Sequence, residues 1–280
     1  MKIQFTKMQA LGNDFVVIDL VNQSVKLTAK SVSFMGDRHL GIGFDQLLLI
    51  EKTDDPEADF QYRIFNADGS ESYQCGNGAR CIAKFIAEKQ MTDKTHIKVK
   101  TKLNLHNLIL RPDKLVTVNM QVPELIPEKI PFIAEKISPS YAISTEFGDF
   151  NAQVLSMGNP HCVLTVSDVA NIDVDKIGRC LSLHSRFPEH ANVSFMQIVS
   201  KDEVHLRVYE RGTGETSACG SGACASMVAG RLQGALSDKV LVKMPGGQLS
   251  IEWQGDDHPV WMTGPAFKVF EGEIELPIHL

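Results

Sequence analysis

The chain has 280 residues, 43% hydrophobic and 22% charged, with 28 Lys and Arg against 34 Asp and Glu for a formal charge of −6. Such a composition supplies cores for about two domains and excludes disorder over most of the length. The acidic balance excludes a nucleic-acid or anionic-membrane surface as the main partner, and the longest aliphatic run, residues 47–50, is far too short to span a bilayer. The start, Met1-Lys2-Ile3-Gln4-Phe5-Thr6-Lys7, contains no apolar signal-peptide core. It predicts a cytoplasmic protein whose six cysteines are reduced.

In chain order, hydrophobic patterning predicts short strands at residues 3–5, 15–18, 47–50 and 62–65. Thr28 is placed to cap a helix that runs through Met35 and is closed by Gly36. After Cys75-Gly76-Asn77-Gly78 the rhythm turns helical, with Ile82, Phe85, Ile86 and Lys89 at helix spacing. Val116, Val118, Met120 and Val122 alternate as a strand. Pro123, Pro127, Pro131 and Pro139 then interrupt regular structure. Asp173 is placed to cap a helix ending near His184. Residues 223–232 are small and apolar nearly all round, the mark of a buried helix.

The chain also repeats itself. Residues 62–71 (YRIFNADGSE) match 206–215 (LRVYERGTGE), and Cys75-Gly76-Asn77-Gly78-Ala79 matches Cys219-Gly220-Ser221-Gly222-Ala223, both at a shift of 144. Residues 11–17 match 157–163, 97–100 match 240–243, and 120–123 match 262–265, at shifts that drift by only a few residues. The expectation is an α+β protein of two tandem, pseudo-symmetric domains, 1–122 and 123–265. Each is a mixed, curved sheet or barrel around one central helix. The tail, about 266–280, is available to pack back on the first domain.

The cysteines lie at 75, 81, 162, 180, 219 and 224, none in a C-x-x-C spacing, and no H-E-x-x-H or Walker loop is present. Gly220-Ser221-Gly222-Ala223-Cys224-Ala225 fits the relaxed dinucleotide pattern, but residues 212–217 before it read as loop where that pattern requires a strand. The repeat instead puts Cys75 and Cys219 at matched helix starts. Unpaired amides and the helix dipole there favour a thiolate. The amides of Gly76–Asn77 and Gly220–Ser221 are placed to hold a carboxylate. Two such ends sharing one site would place a base on each face of a carbon, the requirement for racemisation or epimerisation without metal or pyridoxal phosphate. Cys81, Cys162, Cys180 and Cys224 have no matched partners and read as core filler.

Asn66-Ala67-Asp68-Gly69-Ser70-Glu71 followed by Cys75-Gly76-Asn77-Gly78-Ala79-Arg80-Cys81 closely resembles the signature of the diaminopimelate epimerases. The resemblance extends through Ala10-Leu11-Gly12-Asn13-Asp14-Phe15, residues 38–46, Gly158-Asn159-Pro160-His161, residues 210–216 and Ala218-Cys219-Gly220-Ser221-Gly222. Only the lead-in Ser72-Tyr73-Gln74 is more polar than that pattern. The resemblance implies interconversion of LL- and meso-2,6-diaminopimelate in lysine and cell-wall precursor synthesis, by a cytoplasmic, cofactor-independent homodimer. It implies Cys75 and Cys219 as the thiolate/thiol pair. Asn13, Gln46, Asn66, Asn159, Asn192, Glu210 and Arg211 would bind substrate, with Gly76, Asn77, Gly220 and Ser221 binding through the backbone near the reacting centre. His161 and Glu210 would adjust the cysteine pKa values.

The residue types suit a substrate with two ammonium and two carboxylate groups. Arg211 offers a fork for the distal carboxylate, Glu210 a partner for an ammonium, and the asparagines both donors and acceptors. Taken singly, each has a plainer reading: a turn asparagine, a surface Glu210–Arg211 pair, a core His161. Alternative readings are a proline or hydroxyproline racemase on the same fold, a binding protein with inert thiols, and a cysteine hydrolase, which leaves the second cysteine unexplained.

Overall fold

The computed structural model describes residues 2–72, 75–102 and 104–277, so Tyr73 and Gln74 of the polar lead-in lie outside the described residues. The chain divides into two units, Met1–Val118 with Gly264–Leu280, and Asn119–Thr263.

The first unit contains β1 (Lys2–Ala10), β2 (Asn13–Asp19), α1 (Ala29–Gly36), β3 (Gln46–Glu51), β4 (Phe60–Asn66), β5 (Glu71–Ser72), α2 (Gly76–Glu88), β6 (His96–Lys100), β7 (Leu105–Leu110) and β8 (Val116–Asn119). In the second follow β9 (Tyr141–Thr145), β10 (Gly148–Ser156), β11 (Pro160–Thr165), α3 (Val174–Ser182), β12 (Asn192–Ser200), β13 (Glu203–Glu210), β14 (Gly214–Thr216), α4 (Gly220–Leu232), β15 (Lys239–Met244), β16 (Gly247–Glu252) and β17 (Trp261–Gly264). The chain then re-enters the first unit as β18 (Phe267–Glu275).

Both units follow one pairing scheme. In the first, β1 lies antiparallel between β18 and β2, β2 pairs parallel with β3, and β3 antiparallel with β4. Strand β4 takes β5 antiparallel and β6 parallel, and β6, β7 and β8 finish as a meander. In the second, β9 through β17 repeat these relations in the same order. Each sheet wraps one thirteen-residue helix, α2 or α4.

The central helices explain the strand composition. Val16, Ile18, Leu47 and Leu49 join Val32 and Met35 of α1 in one core layer. The alternate residue Leu48 points the other way, onto α2 at Gly78. A strand covered on both faces is apolar at every position, hence the run Leu47-Leu48-Leu49-Ile50. Helix α4 is buried nearly all round, as its composition predicts.

Four local expectations change. Gly36 does not close α1 but is its last residue; a Cβ there would meet the Ala67 carbonyl at 3.0 Å, and Asp37 ends the helix. The alternation over 116–122 stops at Asn119, because Asn119 Oδ1 accepts the Gln121 N–H and Gln121 turns to φ 70. Residues 212–217 hold the short strand β14 rather than only loop, fixed by Glu215 accepting from Arg207 Nε and Nη2 at 2.6 and 2.7 Å. Cys180 is half-buried, since the buried face of α3 is Val174, Gly178, Leu181 and Ser182. Cys81, Cys162 and Cys224 are fully buried, and burial alone pushes the Cys162 thiol up to about 12.

Gly178 marks the tightest packing of α3. A Cβ there would stand 2.4 Å from Tyr209 Cβ, an atom fixed by the backbone of β13. Gly178→Ala is therefore expected to destabilise by roughly 1–3 kcal/mol as overpacking, read as a Tm lower by several degrees in calorimetry. An unchanged Tm would mean that α3 shifts freely.

Candidate active site

In the first unit the candidate residues collect at one end of the sheet. Asn13 opens β2, Gln46 opens β3, Asn66 ends β4, and Cys75 caps α2. Strand register sets Gln46 opposite Asn66, and Gln46 Nε2 donates to Asn66 Oδ1 at 3.0 Å. Asn66 Nδ2 donates to Ser70 Oγ at 3.0 Å. Gln46 Oε1 is buried without a hydrogen-bond partner among the described residues, an acceptor left open. Asn77 Nδ2 donates to Asn13 Oδ1 at 3.3 Å, and Asn13 Nδ2 to Asp45 Oδ2 at 2.8 Å. Beside them, Asp14 accepts both ends of the Arg38 fork and the Lys7 ammonium. Although burial opposes it, these partners hold the Asp14 carboxyl well below the usual carboxylate range.

Cys75 is extended, and its Sγ accepts the Gly78 N–H at 3.3 Å, so the sulfur takes the place of a capping hydroxyl. Gly76 and Asn77 form the first helical residues. A Cβ on Gly78 would lie 3.5 Å from that sulfur and 3.2 Å from Leu48 Cδ2, so glycine lets the sulfur sit against the helix.

The second unit repeats the placement with different chemistry. Cys219 caps α4, followed by Gly220 and Ser221, and is 4% exposed. Its S–H donates to Glu210 Oε2 at 3.2 Å, Thr216 Oγ1 donates to Glu210 Oε1 at 2.6 Å, and Ser221 Oγ lies 3.6 Å from the sulfur. The helix start was expected to lower the thiol pKa; for Cys219 the balance is reversed. Burial first, and then the Glu210 charge, push it well above the ordinary thiol value, outweighing the Ser221 hydroxyl and the Gly222 amide. Cys219 is a neutral thiol whose proton is held by Glu210.

Asn192, which opens β12, accepts the Arg211 N–H at 2.9 Å, and Arg211 Nη1 donates to the Glu189 carbonyl at 2.8 Å. His161 is fully buried and hydrogen-bonded to Asn159 Oδ1 at 3.1 Å, not to Cys219. Burial, with the nearby Arg211 charge, pushes His161 down to about 3, so it is a neutral imidazole. An amide oxygen only accepts, so Nε2 carries the proton. Nδ1 is then a bare acceptor, without a partner among the described residues. Sequence reasoning gave Thr216 no role; the antiparallel β13–β14 register, with Val208 opposite Thr216, sets it beside Glu210. Among the described residues no cluster of three or more His, Cys, Asp or Glu side chains is placed to hold a metal ion, and no helix is long and apolar enough to cross a membrane.

The fold recurs in solved structures. A hydroxyproline epimerase from Agrobacterium vitis, with bound trans-4-OH-L-proline, superposes with a TM-score of 0.71 at 16% identity, over 98% of this chain and 92% of that one. A probable proline racemase from Agrobacterium radiobacter gives 0.69 at 15% identity, over 99% and 93%. A phenazine biosynthesis protein of the PhzF family from Bacillus anthracis gives 0.68 at 15% identity, over 99% and 100%. The two-unit fold is thus the one shared by these solved structures. The family model described as diaminopimelate epimerase matches residues 5–126 and 153–269. The chain belongs to the diaminopimelate epimerase family and is an epimerase or isomerase of that superfamily.

Proposed function

We propose that the protein interconverts LL- and meso-2,6-diaminopimelate by transferring protons through Cys75 and Cys219. One observation carries the reading: cysteines cap two matched helices, and one of them, Cys219, donates its S–H to Glu210. A thiolate at Cys75 takes the α-proton from one face, and the Cys219 thiol gives its proton to the opposite face of the planar carbanion. The product leaves Cys75 as thiol and Cys219 as thiolate; loss of the Cys75 proton to solvent and uptake of one by Cys219 restore the first state. The helix-start amides of Gly76–Asn77 and Gly220–Ser221 bind the reacting carboxylate, where charge builds. Asn13, Gln46, Asn66, Asn159 and Asn192 bind the amino-acid groups, and Arg211 takes the distal carboxylate in two places. The scheme uses neither metal nor pyridoxal phosphate, so dialysis against EDTA is expected to leave the rate unchanged. The same reading makes the enzyme a cytoplasmic homodimer.

The test is incubation with LL-diaminopimelate in deuterated water. Meso product carrying one deuterium at the inverted carbon supports the reading. Turnover of proline or hydroxyproline instead would favour the racemase alternative, and no exchange with any of the three would refute two-base chemistry. Arg211→Lys keeps the charge but loses the fork. Losing one charged hydrogen bond is worth about 1.5–3 kcal/mol, or roughly 10–100-fold in kcat/KM for diaminopimelate, with unfolding unchanged. A near-normal kcat/KM would remove Arg211 from the site.

A further inference from the structure

Helix α2 buries two polar side chains, Asn77 and Arg80, among apolar and small ones. Arg80 is fully buried, and a guanidinium in such a place is costly unless its donors are taken. Nη2 donates to Asn77 Oδ1 at 2.8 Å, Nε to the Pro265 carbonyl at 3.1 Å, and Nη1 reaches the Gly76 carbonyl at 3.4 Å. Pro265 belongs to the segment by which the chain re-enters this unit.

A carboxamide can face either way, and its neighbours decide which. Arg80 can only donate, so Asn77 must turn Oδ1 toward it and Nδ2 toward Asn13. Asn13 then presents Oδ1 to Asn77 and Nδ2 to Asp45, whose carboxylate can only accept. Asp45 is held in turn by Arg38 Nη2 at 2.8 Å and the Asp14 N–H at 3.1 Å. A pure donor at one end and a pure acceptor at the other fix the direction of all three bonds. The second unit supplies an internal control. The residue at the matched position, 144 further on, is Cys224, equally buried in α4. Packing a helix of this length into this sheet therefore does not require an arginine there.

We propose that Arg80 is a positioning residue for substrate binding: through the Asn77 side chain it fixes the orientation of the Asn13 amide that meets the substrate. The proposal rests on the reading that Asn13 binds diaminopimelate through its side chain and Asn77 through its backbone. It is tested with Arg80→Lys, Asn77→Ala and the double variant, comparing kcat/KM for LL-diaminopimelate, with near-ultraviolet circular dichroism and Tm to establish folding. Arg80→Lys is expected to lower kcat/KM at least tenfold alone and less than threefold in the Asn77→Ala background, because a residue acting through Asn77 has nothing left to position. A loss that multiplies in full on top of Asn77→Ala, or an Arg80→Lys enzyme within threefold of wild type, overturns the proposal. Should the lysine variant fail to fold, Arg80→Gln, whose amide still donates to one carbonyl, takes its place. A measurement on the native protein stands apart from both variants and from the substrate assignment. In 15N-labelled wild type the Asn77 and Asn13 side-chain amide protons should resist exchange with solvent; rapid exchange at both overturns the proposal. A wild type inert toward diaminopimelate refutes the substrate reading, and the amide resonances still decide the role of Arg80.

Discussion

Cys75→Ser and Cys219→Ser are each expected to lower epimerisation by about 10²–10⁴-fold, the usual contribution of a positioned acid or base. Serine keeps the shape and loses the acidity, because a hydroxyl is far harder to ionise than a thiol. The fold should survive. Cys75 already accepts the Gly78 N–H as a capping residue does, and serine is among the best helix caps. At Cys219, serine can still donate to Glu210. Kinetics in both directions, beside thermal unfolding, make the measurement. A folded single variant keeping more than a tenth of the activity would show that one face of the carbon needs no cysteine.

Glu210→Gln should be nearly as damaging. The carboxylate accepts from both Cys219 and Thr216. An amide can present its oxygen to only one of them and carries no charge for a substrate ammonium. Two weakened charged hydrogen bonds at about 1.5–3 kcal/mol each correspond to a loss of roughly 10²-fold or more in kcat/KM. The variant also tests why Cys219 resists ionisation. A neighbouring carboxylate disfavours a thiolate, so removing its charge must move the Cys219 pKa down. Burial, the larger cause, remains, so the value should stay above that of an exposed thiol. Peptide mapping after iodoacetamide treatment across a pH series reads this directly. The onset of Cys219 alkylation should shift to lower pH in Glu210→Gln; an unchanged or higher onset would mean that Glu210 does not set the thiol's state.

What could be read in the sequence was whatever depends on pattern. The all-round apolar composition of residues 223–232 marked α4 as central, and the doubled Cys-Gly-x-Gly marked both helix starts. What escaped depends on neighbours brought in from elsewhere in the fold. The dipole of α4 argued for an activated Cys219, but desolvation and the Glu210 carboxylate, nine residues earlier in the chain, outweigh it. Thr216 reaches Glu210 only through a hairpin register. Gly36 looked like a stop signal, yet it is small because Ala67 crosses beside it. Val116 to Val122 alternated faithfully, but alternation does not reveal that the Asn119 side chain would take the next backbone donor.

The pairing of β1 with β18 joins residues 2–9 to residues 267–275, and this has a consequence for how the protein is made. In the second unit the strand flanking β10 is its immediate predecessor β9, so that unit is complete within one uninterrupted stretch of chain. The first unit lacks the equivalent flanking strand until residues 267–275 have left the ribosome. Synthesis from the N-terminus therefore delivers the parts out of order. The domain translated first is finished last, with the free edge of β1 unpaired in the meantime, while the domain translated second has everything it needs to fold at once.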